Sequence, residues 1–263
     1  MYSEGDIVAI PTALAVMVAA TLLLTLLLRK RTGWVRALPT AIVTLLLLLL
    51  EIEKQRRNLL GQFYPYGYDR FAFPLHYCSL FVFLFPLSEL CGSRLRRVFL
   101  PVAVATSLVV SVGLLVAPEG ILGNASSEVL EGFHSFHAFF FHMLVIFYLL
   151  LTAALGRYRP ARGDLLRMAA VIAVYIAVAL PHALLLDVNY CNFLTSVIPP
   201  VEELRLAVGQ VAYVVGECLL LVGGTVFAGW LYATGYRLIR KGRRKNGFSS
   251  ARTLSFSYFF LTF

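Results

Sequence analysis

Seven apolar stretches, near residues 7 to 28, 37 to 52, 71 to 92, 98 to 116, 134 to 155, 166 to 187 and 206 to 232, constrain what this chain folds into. Crossing the hydrocarbon of a bilayer takes about 20 helical residues, and most of the seven approach that length. The second is the shortest, yet its run from Leu45 to Leu50 has no stable place outside lipid. Lipid offers no partner to a bare N–H or C=O, so the spans must be helices joined by short loops. The expected fold class is all-α, a polytopic membrane bundle of seven transmembrane helices. Composition agrees: 59% of residues are hydrophobic and 14% are charged, against roughly a quarter charged in soluble domains. A soluble enzyme, a disulfide scaffold and a disordered chain are all excluded.

The net charge of +9 raises the question of a nucleic-acid partner, and the placement of the charges answers it. Of the 23 Lys and Arg, 18 fall after the first, third and fifth stretches and in the tail. This is the positive-inside pattern, and it predicts an outer N-terminus and a cytoplasmic C-terminus. No nucleic acid is expected as a partner. Residues 1 to 236 read as one seven-helix membrane domain and 237 to 263 as a basic cytoplasmic tail. The cluster Arg240, Lys241, Arg243, Arg244 and Lys245 suits anionic lipid at that face. The opening stretch follows Glu4 and Asp6, without the basic residues of a secretory signal, and reads as a retained helix. Aromatics between Phe63 and Phe73 fit an outer interfacial belt, and Asn124-Ala125-Ser126 is a sequon in a predicted outer loop.

Given that topology, every histidine lies in the outer half of the bilayer. At about 1.5 Å per helical residue, His76 and Cys78 lie roughly 8 to 11 Å below the outer end of the third helix. His142 lies about 12 Å down the fifth, with His134 and His137 nearer the surface, and His182 about 8 Å from the outer end of the sixth. Ionisable groups within spans face the bundle interior and mark functional sites. His76 and Cys78, two residues apart, point to different faces, so a Cys-His pair must form between helices. Cys78 and His142, at matching depth, are the best-placed nucleophile and base. Pro86 and Pro181 are expected to kink the third and sixth helices. Gly209, Gly216 and Gly223, spaced by seven, predict a smooth stripe for close packing of the last helix, which also carries Glu217. All four lysines are placed outside the spans.

The segments Pro74-Leu75-His76-Tyr77-Cys78-Ser79, Ala117-Pro118-Glu119, His134 to His142 and Asn189-Tyr190 resemble, in that order, the YwaF-like integral membrane family. Its animal relative is transmembrane protein 164, and its fold looks like that of the androgen-induced membrane hydrolases. The resemblance covers about residues 37 to 232. It implies a phospholipid acyltransferase in the animal branch, with Cys78 as nucleophile and His142 as the histidine.

Two chemistries and one non-enzymatic role follow. In the first, His142 takes the Cys78 proton and the thiolate attacks a glycerolipid ester, with His76, His137, His182, Asn189 or Tyr190 binding substrate or the oxyanion. Membrane lipids are then the substrate, without cofactor or metal. In the second, His76, His137 and His182 hold a zinc ion whose bound water attacks an ester or amide. In the third, the histidines and Glu217 relay protons in a transporter, channel or lipid-binding protein.

Overall fold

In a computed structural model of the protein, residues 4–62, 68–122, 129, 131–196 and 198–245 are described. The aromatics Phe63, Tyr64 and Tyr66, the Asn124 sequon and the chain beyond Lys245 lie outside them. The described residues are helical throughout: α1 (Glu4–Leu28), α2 (Trp34–Leu59), α3 (Phe81–Glu89), α4 (Gly92–Val116), α5 (Glu119–Leu122), α6 (Phe133–Ala154), α7 (Asp164–Leu186), α8 (Pro199–Val208) and α9 (Gln210–Lys245). Three 3-10 turns, Arg70–Ala72, Tyr77–Leu80 and Tyr190–Asn192, complete the set.

Six of these helices, α1, α2, α4, α6, α7 and α9, are long and apolar enough to cross a membrane. The chain is a multi-pass membrane protein. The stretch 71 to 92, expected as a seventh full span, instead supplies two 3-10 turns and the nine-residue α3. Pro74 accounts for the break. It lacks an N–H and biases the preceding residue to extended backbone, and Phe73 is extended, at φ −64° and ψ 138°.

The second helix differs in the opposite sense. It continues past residue 52 to Leu59, so Glu51, Lys54 and Gln55 ride on its last turns and Lys54 is not in a loop. Its inward face runs through Thr40, Val43, Thr44, Leu47, Glu51 and Asn58, a helical period that turns from apolar to polar near residue 51. Helix α9 likewise runs on to Lys245, past the expected start of the tail at 237.

Helices α4 and α6 form the centre. Buried residues make up 61% and 67% of their apolar windows, against 17 to 33% in the other four long helices. α4 buries every residue from Leu100 to Ser107 and packs on α3, α6, α7 and α9. Two of its hydroxyls are answered within the helix, Thr106 Oγ1 donating to the Val102 carbonyl at 2.8 Å and Ser111 Oγ to that of Ser107 at 2.6 Å, while the buried Ser107 hydroxyl has no partner among the described residues. α1 adds a smaller cluster, with Ile10 and Met17 against Phe139, Met143 and Ile146 of α6.

A buried carboxylate fixes one end of the bundle. Glu89, with its side chain fully covered, accepts from Tyr148 Oη at 2.9 Å and pairs with Arg157, while Arg96 stands 3.8 Å away. The end of α3, the start of α4 and the end of α6 thus meet at one level. Arg36, at the start of α2, reaches Gly156 there. The Tyr77–Glu89 segment therefore runs from the far end of α2 back to its beginning. At the opposite end, Glu202 of α8 binds Arg205 and the Ser196 N–H, which hold its carboxyl down at about 2. That clamp is lost only as pH falls toward the same value.

Among the described residues the glycine stripe of the last helix is not a packing surface, since a Cβ added at Gly209, Gly216 or Gly223 meets none of them within 4 Å. The close approach of α7 and α9 is at Gly229, where a Cβ would lie 2.2 Å from Met168 Sδ and 2.6 Å from its Cε. Seven-residue spacing shows that glycines share a face, not that the face is covered. Gly229→Val is expected to lower stability by about 1 to 3 kcal/mol through overpacking against the buried Met168. Gly216→Ala and Gly223→Ala should lose none of it, as thermal unfolding in detergent will show.

Candidate functional site

The site is built on the polar end of α2. Glu51, Lys54, Gln55 and Asn58 follow the i, i+3, i+4, i+7 spacing that puts four side chains on one helix face. Asn58 clasps Asp69 in both directions, donating to its carbonyl and accepting from its N–H, each at 2.9 Å. Gln55 donates to the Ala72 carbonyl at 2.8 Å and accepts from Tyr68 Oη at 2.5 Å. Side chains of α2 thus satisfy backbone groups of residues 69 to 72 that a helix would have satisfied itself.

The other side of this segment is held from further along the chain. Tyr190, fully buried, donates to the Arg70 carbonyl at 2.6 Å, and Tyr175 Oη donates to that of Leu75 at 2.7 Å. Cys191 Sγ is 2.7 Å from Tyr175 Oη. Burial pushes the Cys191 thiol up to about 12, so it stays protonated and inert. His76 donates through Nε2 to the Phe71 carbonyl at 3.0 Å and packs between the Phe71 and Tyr190 rings. Between these supports the Tyr77–Leu80 turn presents Cys78 as a half-buried free thiol.

Helix α6 brings two buried histidines to this end. His137 Nε2 is 3.4 Å from Glu51 Oε2, and the opposite carboxylate oxygen holds Lys54 Nζ at 2.8 Å and Gln55 Nε2 at 2.6 Å. His142 Nδ1 lies 2.7 Å from the Ala138 carbonyl. A carbonyl only accepts, so Nδ1 carries the hydrogen and Nε2 of the neutral ring is left as a lone pair. That Nε2 is buried without a hydrogen-bond partner among the described residues. Buried polar atoms are ordinarily paired, so an orphaned acceptor of this kind is chemically significant.

Lys54 belongs to the same cluster. Its ammonium is held by Glu51 at 2.8 Å, and the same carboxylate faces His137. The remaining candidates stand apart. His182 is exposed on α7 with its ring against the Val178 carbonyl. Asn189 binds Thr195 and the Leu194 N–H within its own loop. It also lines a cavity of about 490 Å³ with Tyr68, Asp69, Arg70, Phe71 and Asp187. His76, His137 and His182 do not converge, and no three His, Cys, Asp or Glu among the described residues form a metal cradle.

The model of the TMEM164 family matches residues 1–235, the whole membrane bundle apart from the end of α9. The chain belongs to the TMEM164 family. No curated protein and no solved structure matches it. The resemblance in the sequence implies Cys78 and His142, and the depth of the spans adds the other histidines, but neither reading includes the Glu51, Lys54 and Gln55 cluster. Their signal was present: the helical period of the Leu45 to Leu50 run continues through 51, 54, 55 and 58 without a break.

Proposed function

We propose that this protein is a lipid acyltransferase or lipid ester hydrolase, with Cys78 as nucleophile and His142 as base. The observation that carries the reading is the orphaned Nε2 of His142, a buried proton acceptor whose tautomer is fixed by the Ala138 carbonyl. The family resemblance, which implies cysteine-dependent acyl transfer, supports it. His142 Nε2 takes the Cys78 proton, and sulfur attacks the ester carbonyl carbon. The carbonyl π pair moves to oxygen, then returns as the C–O bond breaks, and the leaving lysolipid oxygen takes the proton from His142. An acceptor hydroxyl or water next attacks the thioester, passing its proton to His142. Collapse frees the new ester or acid and expels the Cys78 thiolate, which recovers that proton.

The site opens to the outer leaflet in this reading. The 18 basic residues assign the Arg36, Arg96 and Arg157 end to the cytoplasm. Counting Tyr77–Glu89 as a short seventh pass then gives an outer N-terminus and an inner tail with anionic lipid at its basic cluster. In a bacterium the location is the cell membrane. Cells expressing wild type should differ from cells expressing folded Cys78→Ala in lysolipid content and acyl-chain distribution. Identical profiles overturn the proposal.

A further inference from the structure

At the Glu89 end of the bundle three buried donor groups have no hydrogen-bond partner among the described residues: Arg157 Nε, Ser88 Oγ and Thr152 Oγ1. They belong to one neighbourhood. Ser88 precedes Glu89 on α3, Arg157 pairs with that carboxylate, and the Arg157 N–H donates to the Thr152 carbonyl at 2.9 Å. Buried polar groups are ordinarily paired, and a guanidinium N–H can only donate. What is missing here is an acceptor.

The charges are unbalanced in the same sense. Tyr148 occupies one oxygen of Glu89 and Arg157 the other, which leaves Arg96 Nη1 at 3.8 Å, beyond hydrogen-bond distance. The second contact of Arg96 is a long one, Nη2 to the Arg157 carbonyl at 3.4 Å. Two guanidiniums thus share one carboxylate, and Arg96 is the loosely held one. Its side chain is 28% exposed against 10% for Arg157, so it is the accessible face of the pair. Arg96 also sits near the start of α4, where Cys91 at the N-cap gives no side-chain bond and the first turn has no acidic residue. The positive end of that helix therefore adds to the excess and is not offset within it. Arg36 of α2 approaches the same corner beside Gly156.

We propose that this corner binds a phosphate group, with Arg96 as its accessible ligand and Arg157 behind it. An ionised phosphate brings acceptors and negative charge together, and a guanidinium meets it with two parallel N–H bonds. In the topology proposed above this end faces the cytoplasmic leaflet, where a basic pocket between helices suits the headgroup of an anionic lipid. Free phosphate has the same chemistry, and the binding itself does not depend on acyl transfer.

Thermal unfolding of the full chain in a neutral detergent tests this, since a ligand that binds only the folded state raises the midpoint saturably. One arm adds phosphatidic acid, with diacylglycerol of the same chains as the phosphate-free control. The other adds inorganic phosphate against chloride at equal ionic strength. The midpoint should climb with phosphatidic acid and not with diacylglycerol. A rise in the lipid arm alone assigns a lipid headgroup, and a rise in both arms assigns the phosphate itself. Arg96→Gln should raise the half-saturating concentration at least about tenfold, and Arg96→Lys, which keeps the charge but not the fork, by less. Replacing the exposed Arg94 and Arg97 together by Gln removes two charges from the same helix start and should change it less than about twofold, because exposed charges are screened. If Arg96→Gln does not fold, Arg96→Lys against the Arg94 and Arg97 variant makes the same comparison. No saturable rise in either arm overturns the proposal and leaves the donors to water. An equal loss in the Arg96 variants and in the Arg94 and Arg97 variant also overturns it, as diffuse surface charge.

Discussion

His142→Ala is expected to cut acyl transfer by about 10² to 10⁴-fold while Cys78 remains in place, the range that a positioned general base supplies. In the proposed reaction the other histidines are not expected to replace it, although His137 Nε2 is likewise buried without a hydrogen-bond partner among the described residues. His137, the other buried histidine of α6, is turned toward Glu51 at 3.4 Å, and His76 spends its Nε2 hydrogen on Phe71. His142→Gln, which fills similar space but offers no basic nitrogen, should be as inactive as the alanine variant. Single-turnover formation of the thioester on Cys78 is the measurement, with folding checked by thermal unfolding in detergent. Near-normal thioester formation in both variants would remove His142 from the chemistry.

At the other end of the bundle, Arg157→Ala is expected to destabilise the protein by about 3 to 5 kcal/mol, because it strips a covered carboxylate of its main counter-charge. Glu89 would keep only Tyr148 and the more distant Arg96. The effect should be non-additive. Glu89→Leu combined with Arg157→Leu removes both charges together and should cost clearly less than Arg157→Ala alone. Denaturant unfolding in detergent micelles gives the comparison. A double variant as damaged as the single one would show that the pair contributes by shape and not by charge.

Much of the fold was legible because lipid allows so few structures. Six of the seven apolar stretches are long helices, and the basic residues near Arg36, Arg96 and Arg157 gather at one end. The departures have local causes with non-local partners. Stretch 71 to 92 has the hydropathy of a span, but Pro74 interrupts it, and Gln55, Asn58, Tyr175 and Tyr190 hold its backbone from other helices. The apolar stretch ends at 52, where charge begins, whereas α2 runs on to Leu59. Its spacing was that of a helix turning a polar face inward. The depth match of Cys78 with His142 assumed a helical rise through residue 78, whereas a 3-10 turn places the thiol.

The group that sets the His142 tautomer is a main-chain carbonyl. No side-chain replacement at Ala138 deletes it, and the ring needs no third residue to choose which nitrogen is basic. Orientation of the ring is therefore inherited with one turn of α6 and survives substitutions that would disable a carboxylate-held histidine. What would disturb it is a change in the helix itself: a proline at 142 removes the ring, and a bend between residues 138 and 142 separates Nδ1 from its carbonyl.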